Sequence, residues 1–195
     1  MITANLVLEG QHVRLEPLTM DHCAPLWEVG NDSRLWTWMR VVMDTQDGMR
    51  AFIEAAIKDR ERGLAVPFAT VEKASNRPIG STRLFNFDHD NRRAEIGHTW
   101  IAPGWQRTAV NTEAKLLMLT HAFEGMRCMR VELRTDALNE RSRTAILRLG
   151  ASCEGVLRQH MIMPNGRLRD TAVYSILDSE WPGVKARLEA KLREH

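Results

Sequence analysis

The chain has 195 residues, of which 44% are hydrophobic and 27% are charged, and its formal net charge is +2. These values are ordinary for one folded globular domain, and they exclude a disordered chain. They also argue against a nucleic-acid-binding domain, which needs a strong basic excess. The apolar runs stay below the about 18 residues of a membrane-spanning helix and the first residues lack a secretory signal, so we expect a cytoplasmic protein with no membrane partner.

The cysteines and the acidic turn give no metal signal. Cys23, Cys128 and Cys153 are far apart in the sequence and form no Cys-x-x-Cys pair, so they predict neither a disulfide framework nor a zinc site. We expect them to be core or semi-buried thiols. The run Asp88-His89-Asp90 has metal-ligand residue types, but it lies in a predicted surface turn without a distant partner, so we predict no bound metal.

The first half of the chain combines strands with helices. Residues 13–18 read as a strand, and a helix follows as far as about Gly30. Residues 31–39 form a short helix or a loop. Apolar residues at i, i+3 and i+4 spacing predict an amphipathic helix over residues 45–62, which Gly63 ends.

Three consecutive strands follow, at residues 66–71, 79–87 and 93–101. Short polar turns join them, which predicts an antiparallel meander. A helix from Ala109 to about Gly125 comes next and is apolar over a wide arc, so it should pack on the sheet. The remaining elements are a strand at 129–135, a helix at 138–149, a hairpin about Pro164-Asn-Gly166 with strands at 160–162 and 172–177, and a last helix carrying Trp181, Val184, Leu188 and Leu192.

This order of elements predicts a mixed α/β fold with one sheet and helices on both faces. The segment from Ala102 to Ala114 is its most informative part, because a strand ends in a polar turn that opens directly into a helix. The first N–H groups of such a helix and the positive end of its dipole attract anions. A phosphate or carboxylate is therefore expected near residues 108–112.

Three blocks of sequence resemble the GNAT acyltransferases, and within them the ribosomal-protein N-terminal acetyltransferase-like (RimJ/RimL-type) group. They occur in the family's order and spacing: Glu95-Ile-Gly97, then Gln106-Arg-Thr-Ala-Val-Asn111 with Glu113-Ala114, and Asn139-x-x-Ser142 ahead of Leu149-Gly-Ala151. The resemblance implies a single GNAT domain over 1–195, with a core at about 10–178 and a C-terminal helix at about 179–194. Its fold would be one central, mostly antiparallel twisted sheet flanked by helices on both faces.

One block departs from the family pattern. The glycine positions of the phosphate loop hold Ala109 and Asn111 here. Glycine in such a loop permits positive φ and a close approach of backbone to ligand. Because Asn tolerates left-handed geometry better than most residues, we expect the loop to form, and the affinity for the cofactor is the property that the two replacements affect.

The resemblance implies acetyl-CoA as co-substrate and places it on named residues. Its pantetheine arm would run along a strand at His98, Thr99, Trp100 and Ile101, and its pyrophosphate would meet the loop formed by Gln106, Arg107, Thr108, Ala109, Val110, Asn111 and Thr112. Asn139 would lie near the pantetheine amides, and Ser142 would give a proton to the departing thiolate. The alternative for Asn139 is that it only caps the helix it begins.

Glu95 is the first candidate for the base that takes the amine proton, directly or through water; the alternative is that it pairs with Arg92 or Arg93. His98 and His160 are further candidates, because an unperturbed histidine has a pKa of about 6.5, although a histidine in a strand is more often structural. Strict alternation would put Glu95 and His98 on opposite faces of the strand, unless a bulge intervenes.

The first-half aromatic residues and the second-half arginines each have two interpretations. Trp27, Trp36, Trp38 and Phe52 could line an acceptor pocket, or they could be ordinary core. Arg141, Arg143 and Arg148 could face cofactor phosphates, or they could be solvated.

Together these features predict an acetyl-CoA-dependent N-acetyltransferase that moves the acetyl group directly to a primary amine of a protein N-terminus or a small molecule. The alternative is a CoA-binding module with little or no catalysis, and a basic nucleic-acid-binding domain is a weaker third. A homodimer is compatible with the fold, but no exposed apolar stripe marks an interface.

Overall fold

The computed structural model describes residues 6–194, and its centre is an eight-stranded sheet. The strands are β1 (Leu8–Glu9), β2 (Val13–Pro17), β3 (Ala65–Glu72), β4 (Arg77–Asp88), β5 (Arg93–Ile101), β6 (Arg130–Asp136), β7 (Ser152–Ile162) and β8 (Leu168–Leu177). They lie in the order β1-β2-β3-β4-β5-β6-β8-β7, and every neighbouring pair is antiparallel except β5 and β6, which are parallel. The predicted mixed, mostly antiparallel sheet is confirmed.

Helices cover both faces of this sheet. They are α1 (Cys23–Gly30), α2 (Gln46–Glu61), α3 (Ala109–Thr120), α4 (Glu140–Leu149) and α5 (Trp181–Arg193), and a π-helical turn at His121–Gly125 continues α3. One core cluster, with Leu26, Met49 and Phe52, joins α1 and α2 to one face. A larger cluster, with Met118 and Leu188, packs α3 and α5 on the opposite face.

Local signals explain where the helices begin and end. The Thr45 hydroxyl accepts from the Gly48 N–H at 3.2 Å and caps α2, and Gly63 follows that helix with a φ of 69°. Gly150 ends α4 in the left-handed conformation, with a φ of 103°. These caps agree with the helix bounds that the sequence predicts, to within about two residues.

Glu113 of α3 fixes the β1–β2 hairpin to the rest of the domain. Its buried carboxylate accepts from the backbone N–H groups of Gln11, His12 and Val13, each at 2.7 Å. A Cβ at Gly10 would collide with this carboxylate. Three charge-assisted hydrogen bonds thus satisfy a carboxylate that would be costly to bury alone.

The C-terminal hairpin differs from the prediction. β7 begins at Ser152, eight residues before the predicted start at His160, and it is the edge strand of the sheet. Because nearly all of β7 is exposed, the expectation of a core or semi-buried Cys153 is wrong, whereas Cys23 and Cys128 are buried. Among the helices at residues 6–194, none combines the length and the apolar character that a membrane crossing requires.

Candidate active site

β5 and β6 separate halfway along their length. They pair in register from Arg93 with Arg130 to Ile96 with Leu133, and no further pairs follow. On its other side β5 stays paired with β4 as far as Ile101. Within residues 6–194, the backbone of residues 97–101 therefore keeps one edge without a strand partner, facing a gap in the middle of the sheet.

A β-bulge lies at the start of this separation. Ser81 of β4 pairs with Trp100 and Arg83 pairs with Gly97, so Thr82 stands opposite two residues of β5. His98 is one of the two, and it has the left-handed φ of 50°. The bulge shifts the alternation of side chains beyond Gly97 by one residue.

The shifted alternation is the exception that the sequence left open for β5. His98 packs edge-on against Phe85, with ring centroids 5.1 Å apart, and a Cβ at Gly97 would also meet the Phe85 ring. Gly97 and His98 thus project to the same face, and Thr99 turns toward α3. Because a bulge does intervene, strict alternation ends at Gly97, and Glu95 and His98 share a face.

The turn before α3 is held by its own side chains. The Gln106 Nε2 donates to the carbonyl of Ile101 at 2.6 Å, and its Oε1 accepts from Arg141 of α4 at 2.5 Å. Gln106, which lies just before α3, thereby connects the end of β5 with α4. The Thr108 hydroxyl donates to the carbonyl of Trp105 at 2.8 Å and caps α3 by accepting from the Val110 N–H at 3.4 Å.

The two residues at the family's glycine positions do not need glycine's freedom in this structure. Ala109 is the first residue of α3 and Asn111 lies within its first turn, and neither has a positive φ. The left-handed residue of the turn is Arg107, with a φ of 64°. Ala109 and Val110 also line a pocket of about 430 Å³ beside the helix start.

α4 begins next to this loop. The Asn139 side chain caps it, because its Oδ1 accepts from the Ser142 N–H at 3.1 Å. Capping occupies the oxygen of Asn139 and leaves its Nδ2 group as a donor. The Ser142 hydroxyl is half-buried and makes no hydrogen bond within residues 6–194.

Glu95 lies in the half of β5 that is paired on both sides, and it is buried. Its Oε2 accepts from Asn86 at 2.9 Å and lies 3.4 Å from the Nε of Arg134 on β6. The alternative, a pairing with Arg92 or Arg93, is not what forms: Glu95 pairs with Arg134, and Arg93 pairs with Asp88. Burial raises the pKa of Glu95 above its ordinary value and outweighs the opposing effects of Asn86 and Arg134.

The two histidine candidates have different surroundings. His98 is solvent-accessible, and desolvation by neighbouring atoms and then the charge of Arg83 lower its pKa to about 4. His160 lies on the edge strand, and its Nδ1 is 3.1 Å from the Thr171 hydroxyl. His160 is thus engaged with β8, which fits the structural interpretation.

The first-half aromatic residues differ in how deeply they are buried. Trp36 and Phe52 are buried in the cluster beneath α1 and α2, and Trp36 also contacts Trp100 with ring centroids 5.0 Å apart. Trp38 is half-buried, and the guanidinium of Arg167 lies 5.6 Å from its ring centroid. The core interpretation holds for Trp36 and Phe52. The partly exposed position of Trp38 agrees with an acceptor entrance.

Lys115, which is buried on α3, is a further polar residue near the site that was not predicted from the sequence. Its Nζ lies 2.7 Å from the Thr99 hydroxyl and 3.3 Å from that of Thr82, at the bulge. Burial alone lowers the pKa of Lys115 to about 7. The available signal was a lysine whose neighbours at i+3 and i+4, Met118 and Leu119, are both apolar.

Comparison with known proteins identifies the family. A family model described as an acetyltransferase (GNAT) domain matches residues 12–152. YdaF of Bacillus subtilis (strain 168), named as a ribosomal N-acetyltransferase, is 32% identical over 174 residues, covering 88% of this chain and 92% of YdaF.

Solved structures agree with the family. A GCN5-related N-acetyltransferase from Brucella melitensis superposes with a TM-score of 0.90 at 33% identity, covering 97% of this chain and 86% of that one. Mycobacterium smegmatis RimJ in complex with CoA-disulfide shares the fold, with a TM-score of 0.79 at 22% identity over 92% of this chain and 88% of its own. We conclude from the separated strands, from the start of α3 soon after β5 and from these matches that the chain belongs to the GNAT family and is an N-acetyltransferase.

Proposed function

We propose that the enzyme binds acetyl-CoA with the pantetheine arm along His98–Ile101 and the pyrophosphate at residues 106–112, and that it acetylates a primary amine arriving from the α1–α2 face. The separation of β5 from β6 carries this proposal. Beyond Ile96 the N–H and C=O groups of β5 have no strand partner on one side, so they can pair with the amides of an extended ligand.

The start of α3 fits a phosphate. Thr108 caps one N–H of the first turn, and the remaining N–H groups of the turn point out of the helix end together with its positive dipole. Arg107 and Arg141 add positive charge nearby. The bound thioester would supply the acetyl group, and the protein's part is to hold it along β5.

α4 supplies two polar groups to the same gap. The Nδ2 group of Asn139 remains a donor for a pantetheine carbonyl, because only its oxygen serves the helix cap. The Ser142 hydroxyl, which has no partner in the described part of the chain, would donate a proton to the sulfur that leaves.

We assign Glu95 as the base, which takes the amine proton through a water molecule. Its raised pKa makes it a stronger base than an exposed carboxylate, and its burial favours an intervening water over direct contact with the amine. His98 is the weaker candidate, because a pKa of about 4 leaves it neutral but poorly basic.

The acceptor class that fits best is a protein N-terminus. The name of YdaF, which describes a ribosomal N-acetyltransferase, supports this class, and a ribosomal acceptor would agree with a cytoplasmic enzyme. The rim formed by Trp38 and Arg167 offers a surface on which residues following the amine could lie. Small-molecule amines are the competing class.

Titration calorimetry with CoA and with acetyl-CoA tests the cofactor assignment, with ATP as a control for general phosphate attraction. We expect micromolar binding that is selective for CoA, because the unpaired edge of β5 recognises pantetheine, which ATP lacks. No binding, or equal binding of ATP, would contradict the site. A screen of N-terminal peptides and small amines then identifies the acceptor.

Ser142→Ala separates catalysis from binding. We expect kcat to fall about 100-fold with an unchanged affinity for CoA, since the hydroxyl acts on the leaving sulfur. Thr144→Ala, on an exposed part of the same helix, is the matched control. CoA binding without any acetyl transfer by the unmodified protein would instead favour a binding module.

A further inference from the structure

Lys115 is a buried amine that the proposed chemistry does not use. Only 5% of the residue is exposed, and no carboxylate oxygen of residues 6–194 lies within 4.0 Å of its Nζ. Its polar neighbours are the hydroxyls of Thr82 and Thr99. A buried lysine without a counter-ion is costly to keep unless it has a role or loses its charge.

The two threonines stand at the bulge itself. Thr82 is the β4 residue opposite the doubled positions of β5, and Thr99 is one of those two positions. Their hydroxyl oxygens are 2.8 Å apart, so with the Lys115 amine they form a closed triangle of polar atoms. The triangle joins α3, β4 and β5 at one point.

Burial favours the neutral amine at this triangle. The Lys115 Nζ donates to both the Thr99 and the Thr82 hydroxyls, which the neutral amine and the ammonium can each do. The ammonium, however, would place a charge in a desolvated site where no carboxylate of residues 6–194 balances it. Protonation therefore favours any rearrangement that exposes Lys115 to water, and such a rearrangement releases Thr99 and Thr82.

The bulge needs such support because it is strained. His98 has a positive φ without being glycine, a conformation that persists only when surrounding groups impose it. The same bulge turns the β5 backbone toward the gap in the sheet. A group that fixes Thr99 therefore also fixes the edge along which we place the pantetheine arm.

We infer that Lys115 is a positioning residue that, in its neutral form, holds the bulged half of β5 in the geometry that receives CoA. This inference rests on the proposed function. It predicts that protonation of Lys115 weakens CoA binding, so that affinity depends on pH through a group that does not touch the ligand.

Other titratable groups near α3 are engaged elsewhere. Glu113 binds three backbone N–H groups, and the others form these pairs: Glu9 with Lys73, Arg14 with Glu16, Arg83 with Asp59, Glu95 with Arg134, and Glu124 with Lys185. His98, with a pKa of about 4, and His121, whose pKa burial lowers, are neutral at pH 7 and above. His12 lines the pocket beside the start of α3 together with Ala109 and Val110. Because Lys115→Met keeps His12, the comparison of the two proteins isolates the part of the pH dependence that Lys115 contributes.

The test is calorimetric titration of CoA at pH 6 and pH 8 with the unmodified protein and Lys115→Met. With a midpoint near pH 7, the neutral fraction of Lys115 changes about tenfold between these pH values, so we expect a tenfold weaker Kd at pH 6. Lys115→Met should lose this tenfold factor. Any change caused by ionisation of CoA itself is common to both proteins, and Lys58→Met on α2 controls for loss of a lysine.

The outcomes separate the inference from the proposed function. If Lys115→Met keeps the full pH dependence, or if the unmodified protein shows none, the positioning role is wrong while the CoA site stands. If CoA binds at neither pH, the proposed site fails and the inference with it.

A second measurement applies even if Lys115→Met does not fold. The ¹³Cε signal of Lys115 in selectively labelled, unmodified protein should titrate near pH 7. Saturating CoA should move that midpoint downward by about two pH units, because the coupling is reciprocal and a tenfold change in Kd between pH 6 and pH 8 requires a shift of that size. A midpoint for Lys115 near pH 10 in the folded protein, or a midpoint that CoA does not shift, would overturn the inference.

Discussion

The two halves of β5 show how one strand serves two purposes. From Arg93 to Ile96 it is paired on both sides and alternates regularly, and this half carries Glu95. From Gly97 to Ile101 it is paired on one side and bulged, and we place the thioester arm there. A regularly paired segment can thus hold the proposed base, while the irregular segment next to it leaves backbone groups open for a ligand.

Glu95→Gln tests the chemical role of the regular half and has the largest expected effect. We expect kcat to fall at least about 100-fold, because an amide cannot accept the proton. In the unmodified enzyme, activity should fall as pH drops through the raised pKa of Glu95, and the variant should lack this decline.

Glu132→Gln is the control for Glu95→Gln, because Glu132 is a buried carboxylate directly opposite on β6. Steady-state kinetics over a pH series measures both variants. If the Glu95→Gln enzyme keeps a nearly normal kcat, the base is another group.

Gly80→Ala tests whether the bulged half needs a close approach of β4. A Cβ at Gly80 would collide with the carbonyl oxygen of Trp100, so the two strands must separate where β5 is irregular. We expect a loss of about 2–3 kcal/mol of unfolding free energy and weaker CoA binding.

Gly183→Ala, where an added Cβ meets nothing within 4 Å, is the matched control and should not destabilise the fold. Chemical denaturation and calorimetry report the two effects. Unchanged stability in Gly80→Ala would mean that the strands adjust freely at the bulge.

Lys115→Met tests the stability cost of the bulged half and has the smallest expected effect. The pKa of Lys115 is lower in the folded protein than its ordinary value of about 10.5, so above pH 7 the unfolded chain binds more protons and stability rises with pH. The variant should therefore be more stable than the unmodified protein at pH 7, by an amount that shrinks by about 1 kcal/mol by pH 8, since Lys115 in the fold is already half neutral at pH 7.

Urea denaturation at the two pH values measures the effect of Lys115→Met. Glu113→Gln provides contrast, because Glu113 lies two residues away but keeps three charge-assisted hydrogen bonds and should be destabilising to replace. A stability difference between Lys115→Met and the unmodified protein that does not vary with pH would show that Lys115 is charged in the fold.

Much of the fold could be predicted from the sequence. The bounds of β5, α2 and α5 follow from periodicity and capping residues, which are local properties. β1 and the first eight residues of β7 could not be predicted, because an exposed edge strand has no need of the apolar alternation that marks a half-buried one.

The candidate site could be predicted only in part. The polar turns that precede α3 and α4 could be predicted, because their capping residues directly follow strands in the sequence. The partners of Glu95 were not, since Asn86 and Arg134 come from β4 and β6 and meet it only when the sheet forms.

The family and the order of most elements followed from the sequence, because these depend on short motifs and neighbouring positions. The bulge of β5 at His98, the turn of Thr99 toward α3 and the burial of Lys115, with no carboxylate of residues 6–194 within 4.0 Å, came from tertiary contacts. The physical reason is that strand register and burial are set by the residues opposite, and these are distant in the chain.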